Sequence, residues 1–260
     1  MKKNDLPTKL SEYKPFSHEI PFIDIHFSIY ESNVIVSTLM RFLPCKNTGS
    51  SLLLKGINIK LESISINKVD LDKSQYSQSN QDLLLKNIPD SAFDLRIIST
   101  INPYENDSLE GLYVSEGMLV TQCEAEGFRR ICFHPDRPDV LSKYKVTIEA
   151  DKNQYPILLS NGNQISSEVI DDLNSKRHKV VWEDPYPKPS YLFALVAGKL
   201  NEVNSSFRTK SGRKVLIRIH VESGDELYTQ HAIQSLKNAM SWDESAYNLE
   251  YDLDEFNIVA

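Results

Sequence analysis

Apolar and polar residues alternate along most of the first two hundred positions, which is the pattern of half-buried strands. Asn, Pro, Gly, Asp and Ser separate these runs at short intervals, and no helical periodicity of useful length competes with them. The pattern predicts a mostly β fold, in the form of an antiparallel sandwich or a barrel-like domain. The predicted strands are 22–29, 34–43, 57–69, 93–101, 143–151, 178–184 and a buried strand within 191–200.

The pattern changes after residue 200. Residues 205–221 predict a hairpin that turns at Lys210–Arg213, and a helix follows with Asp225 as its N-cap. The apolar stripe of this helix is predicted at Leu227, Ala232, Ile233, Leu236 and Met240.

The last ten residues, 251–260, predict one more strand. We therefore place a domain boundary near Gly198 and expect a β-sandwich domain over residues 1–198. Residues 199–260 are expected to be the beginning of a second, α+β domain, which we expect to be incomplete because the sequence stops inside an apolar strand.

Charge and composition exclude several classes of protein. The net charge is −7 and the pI is about 5.4, so a nucleic-acid binder or an anionic-membrane binder is not expected. No apolar run approaches the roughly 20 residues of a membrane span, and the N-terminal lysines lack the apolar segment of a signal peptide. Three cysteines without C-x-x-C spacing predict neither a disulfide framework nor a zinc site, and they favour the cytoplasm.

Motifs for a metal or a nucleophile are weak. His18–Glu19 begins an H-E-x-x-H pattern, but Phe22 stands where the second histidine would be, and Pro21 would break the helix. There is no G-x-S-x-G elbow and no phosphate loop. Cys123 is predicted to be a buried core residue rather than a nucleophile.

The segment TQCEAEG (121–127) carries the strongest candidate site. Its alternation predicts a strand with Gln122 and Glu124 on one face, about 7 Å apart, and with Cys123 and Ala125 packed behind them. One interpretation is a solvated sheet face, or a salt bridge to an arginine at 129 or 130. The other is a pair of acceptors for a primary ammonium, which has three donors.

Several long segments resemble the M1 family of zinc aminopeptidases. The runs TQCEAEGFRRICFHPDRPDVLSKYKVTIEADKNQYPILLSNGN and DPYPKPSYLFALVAGKL carry the resemblance in the β region. SGRKVLIRIHVESG, SLKNAMSWDE and NLEYDLDEFNIVA carry it towards the C-terminus. These motifs are long and in the family's order, and the likeness covers nearly the whole chain.

The resemblance implies a saddle-shaped β-sandwich followed by the start of a thermolysin-like catalytic domain. The family's G-A-M-E-N and H-E-x-x-H motifs are absent from the 260 residues. The complete family enzyme uses zinc to remove amino acids from peptide N-termini. We therefore expect no zinc bound to this chain and no catalytic or metal-ligating residue in it, and its partners would be the missing catalytic and C-terminal domains.

The family's Q-x-E element falls on Gln122 and Glu124. The resemblance implies that Glu124 holds the substrate's α-amino group and that Gln122 lines the first specificity pocket, while Glu126 and Arg129 support the loop. Glu255 and Asn257 lie in a predicted strand where the family is mostly apolar, and Asn257 falls near a position expected to line the substrate pocket. The alternative to an aminopeptidase part is a truncated gene product or a non-catalytic β module for binding or assembly.

Overall fold

The computed structural model describes residues 9–45, 49–172 and 175–260. The N-terminal lysines, at which no signal peptide is predicted, lie outside the described residues. Nineteen strands and one α-helix lie within them. Up to residue 101 the strands are β1 (His18–Glu19), β2 (Phe22–Ile29), β3 (Val34–Pro44), β4 (Ser51–Lys55), β5 (Lys60–Ile66), β6 (Val69–Asp70), β7 (Tyr76–Gln78), β8 (Asp82–Lys86) and β9 (Phe93–Ile101).

The remaining elements include the helix, which is labelled α1. They are β10 (Gly111–Ser115), β11 (Met118–Gln122), β12 (Leu141–Asp151), β13 (Ile157–Ser160), β14 (Asn163–Asp172), β15 (Ser175–Pro189), β16 (Leu195–Gly198), β17 (Asn201–Arg208), β18 (Lys214–Val221), α1 (Gln230–Ala246) and β19 (Glu255–Val259).

The mostly β prediction is confirmed, and the strands form four sheets. The largest has nine strands in the order β14-β15-β12-β2-β3-β9-β5-β6, with β1 paired to β3. A four-stranded sheet has the order β10-β11-β16-β13, and two three-stranded sheets have the orders β4-β8-β7 and β17-β18-β19. Pairing is antiparallel throughout except between β12 and β2 and between β18 and β19, which are parallel.

One hydrophobic cluster joins the nine-stranded sheet to the four-stranded sheet and to the sheet of β4, β8 and β7. Phe27 of β2 and Leu54 of β4 are both fully buried in it, as is Leu119 of β11. Trp182 of β15 is also fully buried, and its Nε1 donates to the carbonyl oxygen of Leu158 in β13 at 3.1 Å. The layers of a sandwich are therefore connected by packing and by a hydrogen bond between two sheets.

The C-terminal part has its own small core. One face of the β17-β18-β19 sheet packs Ile219 and Val221 against Ile233 of α1. Asp225 precedes a 3₁₀ turn (Glu226–Thr229) and makes no capping hydrogen bond, so its predicted capping role is wrong. Leu227 was expected in the buried stripe, but it precedes α1 and is exposed. The predicted domain boundary near Gly198 falls between β16 and β17 and stays a prediction.

Among the described helices, none has the length and apolar character needed to cross a membrane.

Candidate functional site

The segment predicted to be one strand is a strand followed by a turn. β11 ends at Gln122, and residues 123–127 leave the sheet, so the prediction is wrong from Cys123 onward. The N–H of Gly127 donates to the carbonyl oxygen of Cys123 at 2.8 Å, which closes the turn. The peptide bond between Glu124 and Ala125 is cis.

Gln122 and Glu124 lie together in spite of this difference. Both are exposed, and Gln122 Nε2 donates to the backbone oxygen of Glu124 at 3.2 Å. Cys123 is buried as predicted, whereas Ala125 is exposed and does not pack behind the pair. The Gln122 amide thus contacts the backbone of Glu124 across a turn, and the two residues are not alternate positions of one strand.

The two arginines that follow are occupied by other carboxylates. Arg130 Nε lies 3.0 Å from Glu110 Oε2, and Arg129 Nε lies 2.8 Å from Asp136 Oδ2. No ion pair among the described residues includes Glu124. The predicted salt-bridge alternative is therefore not formed, and the carboxylate of Glu124 faces solvent.

Two glycines allow the turn to lie close against the neighbouring strand. A Cβ at Gly127 would lie 2.3 Å from the carbonyl oxygen of Gln122, which is closer than non-bonded atoms come. Gly111, the register partner of Gln122, has φ +73°, and a Cβ there would lie 2.6 Å from Cβ of Arg130. The turn needs the smallest residue at both positions.

Charged and aromatic residues that directly follow the turn in the sequence connect it to the rest of the domain. Arg129 links Glu126, at 2.9 Å, to Asp136, and the supporting role of Glu126 and Arg129 stays a prediction. Phe128 is fully buried and packs edge-on against Phe193, with ring centroids 5.1 Å apart. The exposed turn is thereby fixed to the core.

The nearby thiols and imidazole are structural. Burial raises the pKa of the Cys123 and Cys132 thiols, so both stay protonated and are poor nucleophiles. Burial lowers the pKa of His134 to about 3, which keeps its ring neutral. Its Nδ1 accepts the backbone N–H of Asp136 at 2.9 Å.

The described residues do not fit a zinc ion. No group of three His, Cys, Asp or Glu side chains within them could hold a metal. His18 and Glu19 form the two-residue strand β1 rather than a helical turn, so they lack the spacing of a helical zinc motif.

Asn257 lines a cleft of about 260 Å³ between the four-stranded sheet and β19. Its Oδ1 lies 3.3 Å from Nε2 of the buried His220. Glu255, the other polar residue of this strand, is buried, pairs with Arg218 and accepts the N–H of Gln164. Glu255 therefore connects β19 to the sandwich, and the role of Asn257 in a substrate pocket stays a prediction.

Sequence reasoning missed Asp136. Its side chain is 1% exposed and accepts hydrogen bonds from Arg129 and Ser190. An aspartate between two prolines in HPDRPD is typical of a turn, and only the fold shows that it contacts Arg129, which in turn pairs with Glu126.

Comparison with known proteins assigns the class. A family model described as the Peptidase M1 N-terminal domain matches residues 14–192. The chain is 43% identical over 249 residues to aminopeptidase N of Haemophilus influenzae, covering 96% of this chain and 28% of that protein. It is 44% identical over 260 residues to aminopeptidase N of Caulobacter vibrioides, covering 99% of this chain and 30% of that protein.

Solved structures agree with this. The structure of Legionella pneumophila aminopeptidase A in complex with aspartic acid has a TM-score of 0.90 and 37% identity, over 97% of this chain and 30% of that one. An M1 zinc metallopeptidase from Deinococcus radiodurans has a TM-score of 0.73 at 13% identity, over 94% of this chain and 56% of that one, which supports the fold alone.

The chain therefore belongs to the M1 peptidase family, and residues 14–192 are its N-terminal domain. Its bacterial relatives are aminopeptidases, and it spans less than a third of their length, 28% of one and 30% of another.

Proposed function

We propose that this chain is the N-terminal part of a zinc-dependent aminopeptidase and that it supplies the anchor for the free α-amino group of a peptide. In this proposal Glu124 accepts from the ammonium, and Gln122 borders the pocket for the first side chain. One observation carries it: an exposed amide and an exposed carboxylate share a turn that is fixed to the core.

The chemistry of the pair suits a peptide N-terminus. A primary ammonium has three N–H donors, and a carboxylate is its strongest side-chain acceptor. Because Gln122 Nε2 donates to the backbone oxygen of Glu124, its Oε1 is left to accept a second donor. An internal peptide nitrogen has one donor and no charge, so this arrangement favours chain ends over internal bonds.

The relatives support the rest of the proposal. The matched proteins of Haemophilus influenzae and Caulobacter vibrioides are aminopeptidases, so peptide N-termini are the proposed substrates. The zinc ligands would come from the catalytic domain, outside the described residues. The catalytic and C-terminal domains are the proposed partners of this chain. We place the protein in the cytoplasm because its three cysteines are free thiols, as expected in a reducing compartment.

Replacing Glu124 tests the anchor directly. We expect Glu124→Gln to weaken binding of alaninamide to the 260-residue chain by about fivefold, the effect of losing one exposed ion pair. The affinity is measured by NMR titration at pH 7. N-acetylalaninamide, which lacks the ammonium, should bind the original chain and the variant equally weakly.

Glu116→Gln is the matched control, since this exposed carboxylate lies beyond the other end of β11. It should leave the affinity for alaninamide unchanged. Equal affinities in the original chain and Glu124→Gln would contradict the anchor and would favour the non-catalytic β module.

The 260 residues alone are not expected to hydrolyse an alanyl anilide, because their sequence contains neither H-E-x-x-H nor G-A-M-E-N. The measurement is release of the anilide chromophore by the purified chain with added zinc. A contaminating enzyme would give the same rate in a Glu124→Gln preparation. Zinc-dependent release that falls in this variant would show that the chain has its own catalytic centre.

A further inference from the structure

Asp136 is a buried carboxylate whose partner Arg129 also contacts the exposed turn. Its side chain is 1% exposed, and its hydrogen-bond partners are Arg129, Ser190 and His134. Arg129 donates two hydrogen bonds to Oδ2 of Asp136, one from its backbone N–H at 3.1 Å and one from its Nε–H at 2.8 Å. Oδ1 accepts the hydroxyl of Ser190 at 2.8 Å. Both oxygens are thus satisfied by the protein.

The backbone of Asp136 adds two further contacts. Its carbonyl oxygen accepts from Nη2 of Arg129 at 3.3 Å, and its N–H donates to Nδ1 of His134 at 2.9 Å. The residue has φ +50°, a left-handed conformation that aspartate adopts more readily than most residues. Its position is therefore determined from several sides.

Arg129 carries this constraint to the turn. Its guanidinium is 14% exposed, and Nη1 lies 2.9 Å from Oε2 of Glu126. Glu126 is two residues beyond Glu124 and one before Gly127, whose N–H closes the turn. A hydrogen bond from Ser190 to Asp136 and two ion pairs, Asp136–Arg129 and Arg129–Glu126, thus form a continuous series of contacts to the turn.

We propose that Asp136 is a positioning residue for the ammonium anchor. It holds Arg129, and Arg129 holds Glu126, so that the turn presents the carboxylate of Glu124 in one orientation. A carboxylate fixed before the ligand binds loses less conformational entropy on binding than a mobile one. This inference rests on the proposed function, since it assigns a role to Asp136 in the binding of the same α-amino group.

Asp136→Asn is the direct test, because asparagine keeps the shape and loses the charge that Arg129 needs. In the 260-residue chain we expect the Gly127 amide to exchange with solvent about tenfold faster, as in a locally opened turn. Alaninamide affinity should fall as far as in Glu124→Gln, with loss of the ligand-induced shift at the Glu124 amide. Circular dichroism should remain that of the folded chain.

Asp139→Asn is the matched control. Asp139 forms a similar pair with Arg137, at 2.8 Å and 2.7 Å, and its other hydrogen-bond partner is Tyr13 rather than Glu126 or Arg129. It should leave Gly127 exchange and the ligand-induced shift unchanged. A folded Asp136→Asn chain with unchanged Gly127 exchange and unchanged affinity would overturn the proposal.

Arg129→Lys and Arg137→Lys form a second pair, used if Asp136→Asn does not fold. Lysine keeps the charge and loses the fork that joins Asp136 to Glu126. Arg129→Lys should speed amide exchange at Gly127 and weaken alaninamide binding, whereas Arg137→Lys should do neither. Equal exchange rates and equal affinities in the two variants would overturn the proposal. If Glu124→Gln leaves affinity unchanged, the anchor fails, and Gly127 exchange still decides whether Asp136 orders the turn.

Discussion

Trp182→Ala is expected to lower the free energy of unfolding by about 4 kcal/mol, in the range for truncating a fully buried aromatic residue. Trp182 lies in β15 of the nine-stranded sheet, and its indole N–H donates to Leu158 in β13 of the four-stranded sheet. The substitution leaves a cavity and also a buried carbonyl without this partner. The measurement is equilibrium denaturation in urea, followed by circular dichroism.

The second tryptophan of the chain is the control. Trp242, in α1, is 56% exposed and makes one edge-on contact with Tyr247, with ring centroids 5.1 Å apart. Trp242→Ala should cost about 1 kcal/mol or less, the value of an aromatic pair on a surface. Similar losses for both variants would mean that Trp182 does not connect two sheets of one cooperative unit.

The long strands were predictable because their burial follows their sequence. β2 and β9 have the predicted bounds. In β2 the residues from Ile23 to Ile29 alternate between buried apolar and less buried polar positions, and β9 follows the same pattern except at Ile98 and Ser99, where the buried residue is the polar one. Strand β5 is shorter than predicted, since Asn58 has φ +57° and residues 57–59 precede the strand. The left-handed conformation at Asn58, which only a few residue types adopt, moves the start of the strand to Lys60.

The short strands were missed for a physical reason. β4 and β8 each contain three consecutive leucines, so apolar and polar residues do not alternate in their sequences. Buried and more exposed positions nevertheless alternate in the structure. Leu52 and Leu54 are buried, whereas Leu53 is 45% exposed. The parallel pairing of β12 with β2 could not be predicted from the sequence. It joins segments more than a hundred residues apart, and several strands share the same alternation of apolar and polar residues.

At the candidate site, Gln122 and Glu124 stay a prediction as site residues, and the predicted geometry of their segment is wrong from Cys123 onward. Alternation in TQCEAEG indicated a strand, but the hydrogen bond from Gly127 to Cys123 forms a turn instead. What decides the geometry is non-local: Gly111 and Gly127 let two segments approach, and Asp136 holds Arg129. None of these contacts is visible in a single alternating run.

Gly127→Ala is expected to lower the free energy of unfolding by about 3 kcal/mol, the upper part of the range for inserting a methyl group into a packed site. The backbone of Gly127 has φ −79°, which alanine adopts freely, so the cost is steric alone. The added Cβ would meet the oxygen of Gln122 at 2.3 Å and the nitrogen of Gly111 at 2.9 Å. Both are backbone atoms of paired strands and cannot rotate away.

Gly117→Ala separates this effect from conformational strain. Gly117 has φ +81°, in the hairpin turn between β10 and β11, and a Cβ there would have nothing within 4 Å. Its substitution should cost about 1–2 kcal/mol through strain and leave the Gln122–Glu124 turn intact. Thermal unfolding compares the two stabilities, and NMR shifts of residues 122–127 report the turn.

The two glycine variants should also differ in binding. Relief of the clash in Gly127→Ala requires the turn to move away from β10, which takes Glu124 away from the amide of Gln122 that now contacts its backbone. Alaninamide affinity should therefore fall in Gly127→Ala and stay unchanged in Gly117→Ala, even where both chains are fully folded. If both variants bind equally well, the close approach of the turn to the sheet serves stability alone, and the anchor depends only on the presence of a carboxylate at Glu124.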